Sequence, residues 1–229
     1  ATFPKKIQAI ASKIMNNPEM VEVAATHDDS SIKQHFYKVK NFGERLDAVR
    51  GLLLQHKPES TVIFCNTKKD VQDVADELGH FGFSIIALHG DLEQRDRDQA
   101  LVRFSNKSIS IMVATDVASR GLDIDSLDAV INFQVAHDSE VHVHRIGRTG
   151  RAGSKGIACT IFDDKEAYQV ALLEDRFGMI TAEALPSESV LNESPMTPPM
   201  ECIRIDGGKK QKVRAGDILG ALTGKDGID

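Results

Sequence analysis

A chain of 229 residues, 41% hydrophobic and 27% charged, is long enough to bury one α/β core with a smaller appendage beside it. A formal charge of -6 excludes a surface that grips nucleic acid everywhere through a basic field, so any such contact is local. Three scattered cysteines without zinc-ligand spacing, and no apolar run near the roughly twenty residues of a membrane span, argue for a reducing, cytoplasmic setting with no membrane and no metal.

In chain order, residues 4–15 read as a helix. Ile7, Ile10, Ala11 and Ile14 recur at helical spacing behind Pro4, and Asn16, Asn17 and Pro18 end it. A strand candidate at 21–23 precedes the polar turn formers of 25–31, so residues 1–25 belong to a preceding unit and 26–31 to a linker.

Apolar runs at 61–65, 84–88, 109–114, 129–133 and 156–162 then alternate with amphipathic stretches such as 69–81 and 94–104. That rhythm predicts a parallel sheet covered by helices on both faces, in a domain over 32–184, with ligands at the carboxyl edge of the strands.

Residues 185–200 hold four of the seven prolines and read as a second linker. From 201 to 229 structure restarts with a strand candidate at 202–205, a Gly-Gly turn, the basic cluster Lys209, Lys210, Lys212 and Arg214, and a helix candidate at 215–222. Two elements cannot fold alone, so this segment reads as the truncated start of another domain.

The most specific run is HRIGRTGRAG at 144–153. On a first helical turn Arg148 and Arg151 share a face, and two converging guanidiniums repel unless a polyanion such as a nucleotide triphosphate lies between them. The interleaved glycines permit close backbone approach, which favours this reading over a solvated basic turn. The cluster His137, Asp138, Glu140, His142 and His144 matches no metal-ligand spacing.

HRIGRTGRAG resembles the sixth motif of the DEAD-box RNA helicases, and four further segments resemble that family in order. Val62–Lys69 (VIFCNTKK) resembles the fourth motif, whose polar strand end (Asn66, Thr67 and Lys68 here) is expected on RNA phosphates; a strand followed by a helix cap is compatible with it. His89-Gly90-Asp91 with Gln94 and Arg97 resembles the next, with Gly90, Gln94 and Arg97 expected near RNA. ATDVASRGLD at 114–123 resembles the fifth, which implies Thr115, Asp116 and Arg120 on RNA, and Gly121 and Asp123 near the nucleotide. Taken alone, Asp116 and Asp123 read as turn and cap carboxylates. Ala1-Thr2 resembles the end of the family's Ser-Ala-Thr motif. His142 departs from the family, which usually carries tyrosine there.

The resemblance, over residues 1 to about 182, implies an α/β fold: the second RecA-like domain of an ATP-dependent helicase. Arg148 and Arg151 would be arginine fingers, and His144 and Arg145 would couple the domains as further catalytic residues. ATP and Mg2+ would be the cofactors, Mg2+ held mainly by the first RecA-like domain. No GxxxxGK[ST] loop and no Asp-Glu-Ala-Asp segment occurs in the 229 residues, so the chain alone is expected to be inactive as an ATPase. The tail IDGGKKQKVRAGDILGALT resembles the opening of the RRM-like domain of the bacterial DbpA group. That implies a monomer acting on 23S ribosomal RNA in large-subunit assembly, with the lysines on phosphate or simply solvated. An RNA- or protein-binding module and half of a DNA helicase are the other readings these residues allow.

Overall fold

The computed structural model describes residues 5–16, 32–119, 127–150 and 156–224. The strand candidate at 21–23 and the linker at 26–31 lie outside the described residues. After helix α1 (Lys5–Ile14), six strands run β1 (Ile32–Lys38), β2 (Thr61–Phe64), β3 (Ile85–Leu88), β4 (Ile111–Ala114), β5 (Ala129–Asn132) and β6 (Gly156–Phe162). All pair in parallel, in the order β1-β6-β5-β2-β4-β3. The central strands β2, β4 and β5 are buried at every position, as apolar strands covered on both faces must be.

Alternation of side chains along each strand divides the core in two. Ile63, Val113, Ile131 and Ile161 face helices α2 (Phe42–His56) and α3 (Lys68–His80), which contribute Val49, Leu52, Leu53, Val71, Val74 and Leu78. Val62, Phe64, Met112 and Val130 face the other way, toward α4 (Gln94–Ser105) and the short α5 (Asp116–Ser119). On that same face α6 (Ser139–Ile146) and α7 (Ala167–Phe177) close over β1 and β6 through Ile146, Leu173 and Phe177.

The segment expected to be a linker is packed. Leu185, Val190 and Met196 lie against the core of the α2 and α3 face, residues Glu188–Asn192 form a 3-10 turn, and Glu193 pairs with Lys57 at 2.8 Å. Just before it the chain adds to the sheet edge, since the Glu183 N–H donates to the Phe36 carbonyl at 2.7 Å. In the tail, α8 (Ala215–Thr223) forms where a helix is expected, but 202–205 is not a strand. A strand needs a ladder partner, and Ile203 and Ile205 stand in solvent.

Candidate functional site

The parallel sheet sends the ends of β2, β3, β4 and β5 to one edge, and three of those crests meet on one side chain. Arg145, in the last turn of α6, is 1% exposed. Its Nε and one terminal nitrogen donate to the two oxygens of Asp116, each at 2.7 Å. The same terminal nitrogen reaches Asn66 Oδ1 at 2.7 Å, and the other donates to the Gln134 carbonyl at 2.9 Å. Asp116 follows β4, Asn66 follows β2 and Gln134 follows β5, so one fork of donors ties neighbouring crests. Beneath it the Phe64 ring lies 5.4 Å from the guanidinium carbon.

This geometry engages three of the expected site residues with one another. Arg145 is buried among protein partners, Asp116 accepts from it through both oxygens, and Asn66 also donates Nδ2–H to the Val135 carbonyl at 3.0 Å. A bidentate carboxylate is a strong partner for a buried guanidinium, and through it these side chains hold neighbouring crests together.

The other RNA candidates line the edge in varied states. Thr67 caps α3, accepting from the Asp70 N–H at 3.1 Å and donating to its carboxylate at 2.7 Å. Lys68 and Asp91, both exposed, form an ion pair that bridges the β2 and β3 crests. At Gly90 an added Cβ would come within 3.6 Å of the Lys68 stem, ordinary contact, so space at this site does not demand glycine. Gln94 pairs with Asp98 along α4, and Arg97 reaches across to the Ala118 carbonyl at 2.6 Å. Thr115 Oγ1 accepts weakly from the Ala118 N–H at 3.4 Å. Lys209 and Lys210 sit exposed in a 3-10 turn of the tail.

Arg148 does not lie on a first helical turn. The Gly147 N–H closes α6 onto the Val143 carbonyl, and the chain then turns. There the Arg148 carbonyl accepts from the Leu127 N–H at 3.0 Å, while the Thr149 hydroxyl donates to the Leu127 carbonyl. Gly156 is needed below, because a Cβ there would collide with Thr149 and Gly150. Half-buried Arg148, exposed His144, Val141, Ser119, Phe64, Asp116 and Arg145 line a small cleft at this edge. Arg120, Gly121, Asp123 and Arg151 lie outside the described residues.

Behind the cleft His142 is fully buried. Its Nε2 meets Gln34 Oε1 at 3.1 Å and its ring stacks on Phe36 and meets Phe177 edge-on. Burial, with Arg145 and then Arg176 nearby, holds its pKa down to about 4, so it is neutral near pH 7. Burial also pushes the Cys159 thiol up to about 12 and raises Cys65 further.

Gln134 and Arg45 escaped the sequence reading. Arg45, from α2, donates to the Phe133 and Ile161 carbonyls and pairs with Glu166 at 2.6 Å, pinning the β5 and β6 crests as Arg145 pins the others. The only advance signal for Gln134 is its place, a polar residue directly after an apolar strand.

A parallel six-stranded sheet carrying arginines, a histidine and capped helices along its carboxyl edge defines a RecA-like motor domain. Residues 44–153 match the helicase conserved C-terminal domain. The chain is 47% identical to the ATP-dependent RNA helicase DbpA of Escherichia coli over 230 residues, covering all of this chain and 50% of that protein. It is 31% identical to a solved structure of the C-terminal domain of the DEAD-box protein Dbp5, covering 66% of this chain and 88% of that one, with a TM-score of 0.58. Saccharomyces cerevisiae Dbp5 bound to RNA and ADP BeF3 superimposes with a TM-score of 0.69 at 29% identity, covering 82% of this chain and 50% of that one. The chain therefore belongs to the DEAD-box RNA helicases and carries their C-terminal motor domain, of the DbpA type. It spans about half the length of the DbpA proteins it matches.

Proposed function

We propose that this chain is the half of an ATP-driven RNA-unwinding motor that supplies arginine fingers, and that it hydrolyses ATP only when paired with a first RecA-like domain. The observation that carries this reading is the cleft in which His144 and Arg148 border a floor of Phe64 and the Arg145–Asp116 pair. Donors fixed at a carboxyl edge suit the oxygens of a triphosphate. ATP would supply the phosphoryl group between the two domains. On this side Arg148, with Arg151, would balance charge developing on that group, and His144 would sense the closed partner domain. Mg2+ would be held mainly by the partner domain's residues.

RNA would cross the crests by its backbone, meeting Thr67, Lys68, Gly90, Gln94 and Thr115, with Arg120 beside them and Gly121 and Asp123 toward the ribose. The Lys68–Asp91 pair is exposed and weak, so a phosphate oxygen can replace Asp91 with little loss. The substrate would be 23S ribosomal RNA, the role large-subunit assembly, the location the cytoplasm and the working form a monomer. Lys209 and Lys210 would add phosphate contacts from the tail.

The test mixes this chain with a separately expressed ATP-binding half and follows RNA-stimulated ATP hydrolysis. Turnover that appears on mixing and falls about a thousandfold in Arg148→Ala or Arg151→Ala supports the finger role. Complementation indifferent to both arginines would leave an RNA-binding module as the better reading.

A further inference from the structure

Gln134, half-buried just past β5, makes two opposite hydrogen bonds with one amide. Its Oε1 accepts the Asn66 N–H at 2.8 Å, and its Nε2 donates to Asp70 Oδ2 at 3.0 Å. Its own carbonyl accepts from Arg145 at 2.9 Å. The amide thus ties the β5 crest to the loop that opens α3, while its backbone is held by the helix that leads into Arg148. Asp70 is in turn the partner of Thr67, so the bridge ends on a side chain that faces the proposed RNA track.

The partners dictate the residue type. One side presents a backbone donor and the other a carboxylate, so the bridge needs an acceptor and a donor on one side chain of this reach. Glutamate would face Asp70 with like charge, asparagine is a methylene short, and alanine would leave a half-buried N–H and carboxylate without this partner.

We propose that Gln134 is a positioning residue for RNA: it sets the Thr67 and Lys68 turn in register with α6, so that RNA seated on that turn and phosphate chemistry beside Arg148 act on one rigid unit. This rests on the motor reading above. Gln134 touches no ligand itself.

The experiment compares Gln134→Glu, Asp70→Asn and the double variant, each mixed with the ATP-binding half. In the double variant the introduced carboxylate still accepts the Asn66 N–H and also accepts from the introduced amide at position 70, so the bridge is rebuilt with its polarity reversed. Three quantities are read: amide hydrogen exchange over residues 66–70, the RNA concentration for half-maximal stimulation, and kcat at saturating RNA. Gln134→Glu is expected to speed exchange and raise the half-saturating RNA concentration, each by about tenfold, with kcat within about twofold. The double variant is expected to recover both to within about threefold of wild type. Faster exchange with unchanged RNA half-saturation would make Gln134 a purely structural residue and overturn the proposal, as would a double variant no better than Gln134→Glu. Absence of RNA-stimulated turnover in the wild-type mixture would overturn the motor reading and this role with it, and is distinguished by needing no variant to appear.

Discussion

Arg145 and Asp116 are locked to each other by two charge-assisted hydrogen bonds of 2.7 Å, with the guanidinium out of water. Removing one partner of such a pair leaves an uncompensated buried charge, so Arg145→Ala should cost about 3–5 kcal/mol of folding stability, measured by urea unfolding. Arg145→Lys keeps the charge but loses the fork, and should recover only part of that. A loss under about 1 kcal/mol for Arg145→Ala would show that the crests hold together without it.

His142 makes stability sensitive to acid. Its pKa is about 4 in the folded chain against an ordinary 6.5, so between those values the unfolded state binds more protons. The contribution is therefore complete above pH 6.5 and is lost as pH falls toward 4, amounting to about 3 kcal/mol. The difference in unfolding free energy between wild type and His142→Phe should shift against wild type across that window and be flat above it. A difference that does not vary with pH would refute the assignment.

Packing of residues 185–196 on α2 has a direct probe in Gly51, where an added Cβ would sit 2.8 Å from Pro186 Cβ. Alanine raises helix propensity by about 1 kcal/mol over glycine, so α2 itself should tolerate the change. Gly51→Ala should instead lift the strap, seen as faster proteolysis between residues 185 and 200 with unchanged helical circular dichroism. Unchanged proteolysis would mean the strap yields locally without undocking.

Of the three cysteines, Cys65 and Cys159 are buried with raised pKa values and Cys202 is exposed. A disulfide reagent at pH 8 should therefore modify one thiol per native chain, and all three after unfolding. Rapid modification of a second thiol in the native state would show that the face under α2 opens.

Strands β2 to β6 were legible because strands of a parallel sheet covered on both faces are continuous apolar runs, and α3 and α4 because their apolar spacing is helical. Strand β1 was not, since Lys33, Gln34, His35 and Lys38 interrupt IKQHFYK and hide the apolar pattern although Ile32, Phe36 and Tyr37 are buried. Helix α2 also escaped, although Asn41 caps its start by accepting from the Glu44 N–H, and the Glu44 carboxylate accepts from the Lys40 N–H. The run at 185–200 reads as solvated by composition, yet Leu185, Val190 and Met196 pack against the core, a partner no local window contains.

By itself the sequence determined the class of fold and singled out Asp116, His144, Arg145 and Arg148 among the residues that line the cleft, because periodicity and motif wording are read along the chain. Only the tertiary structure decided which polar residues face outward and which face one another. Arg145, Asp116, Asn66 and Gln134 are brought together from positions 66 to 145 by strand order alone, and hydrogen-bond partnership between distant crests leaves no trace in spacing.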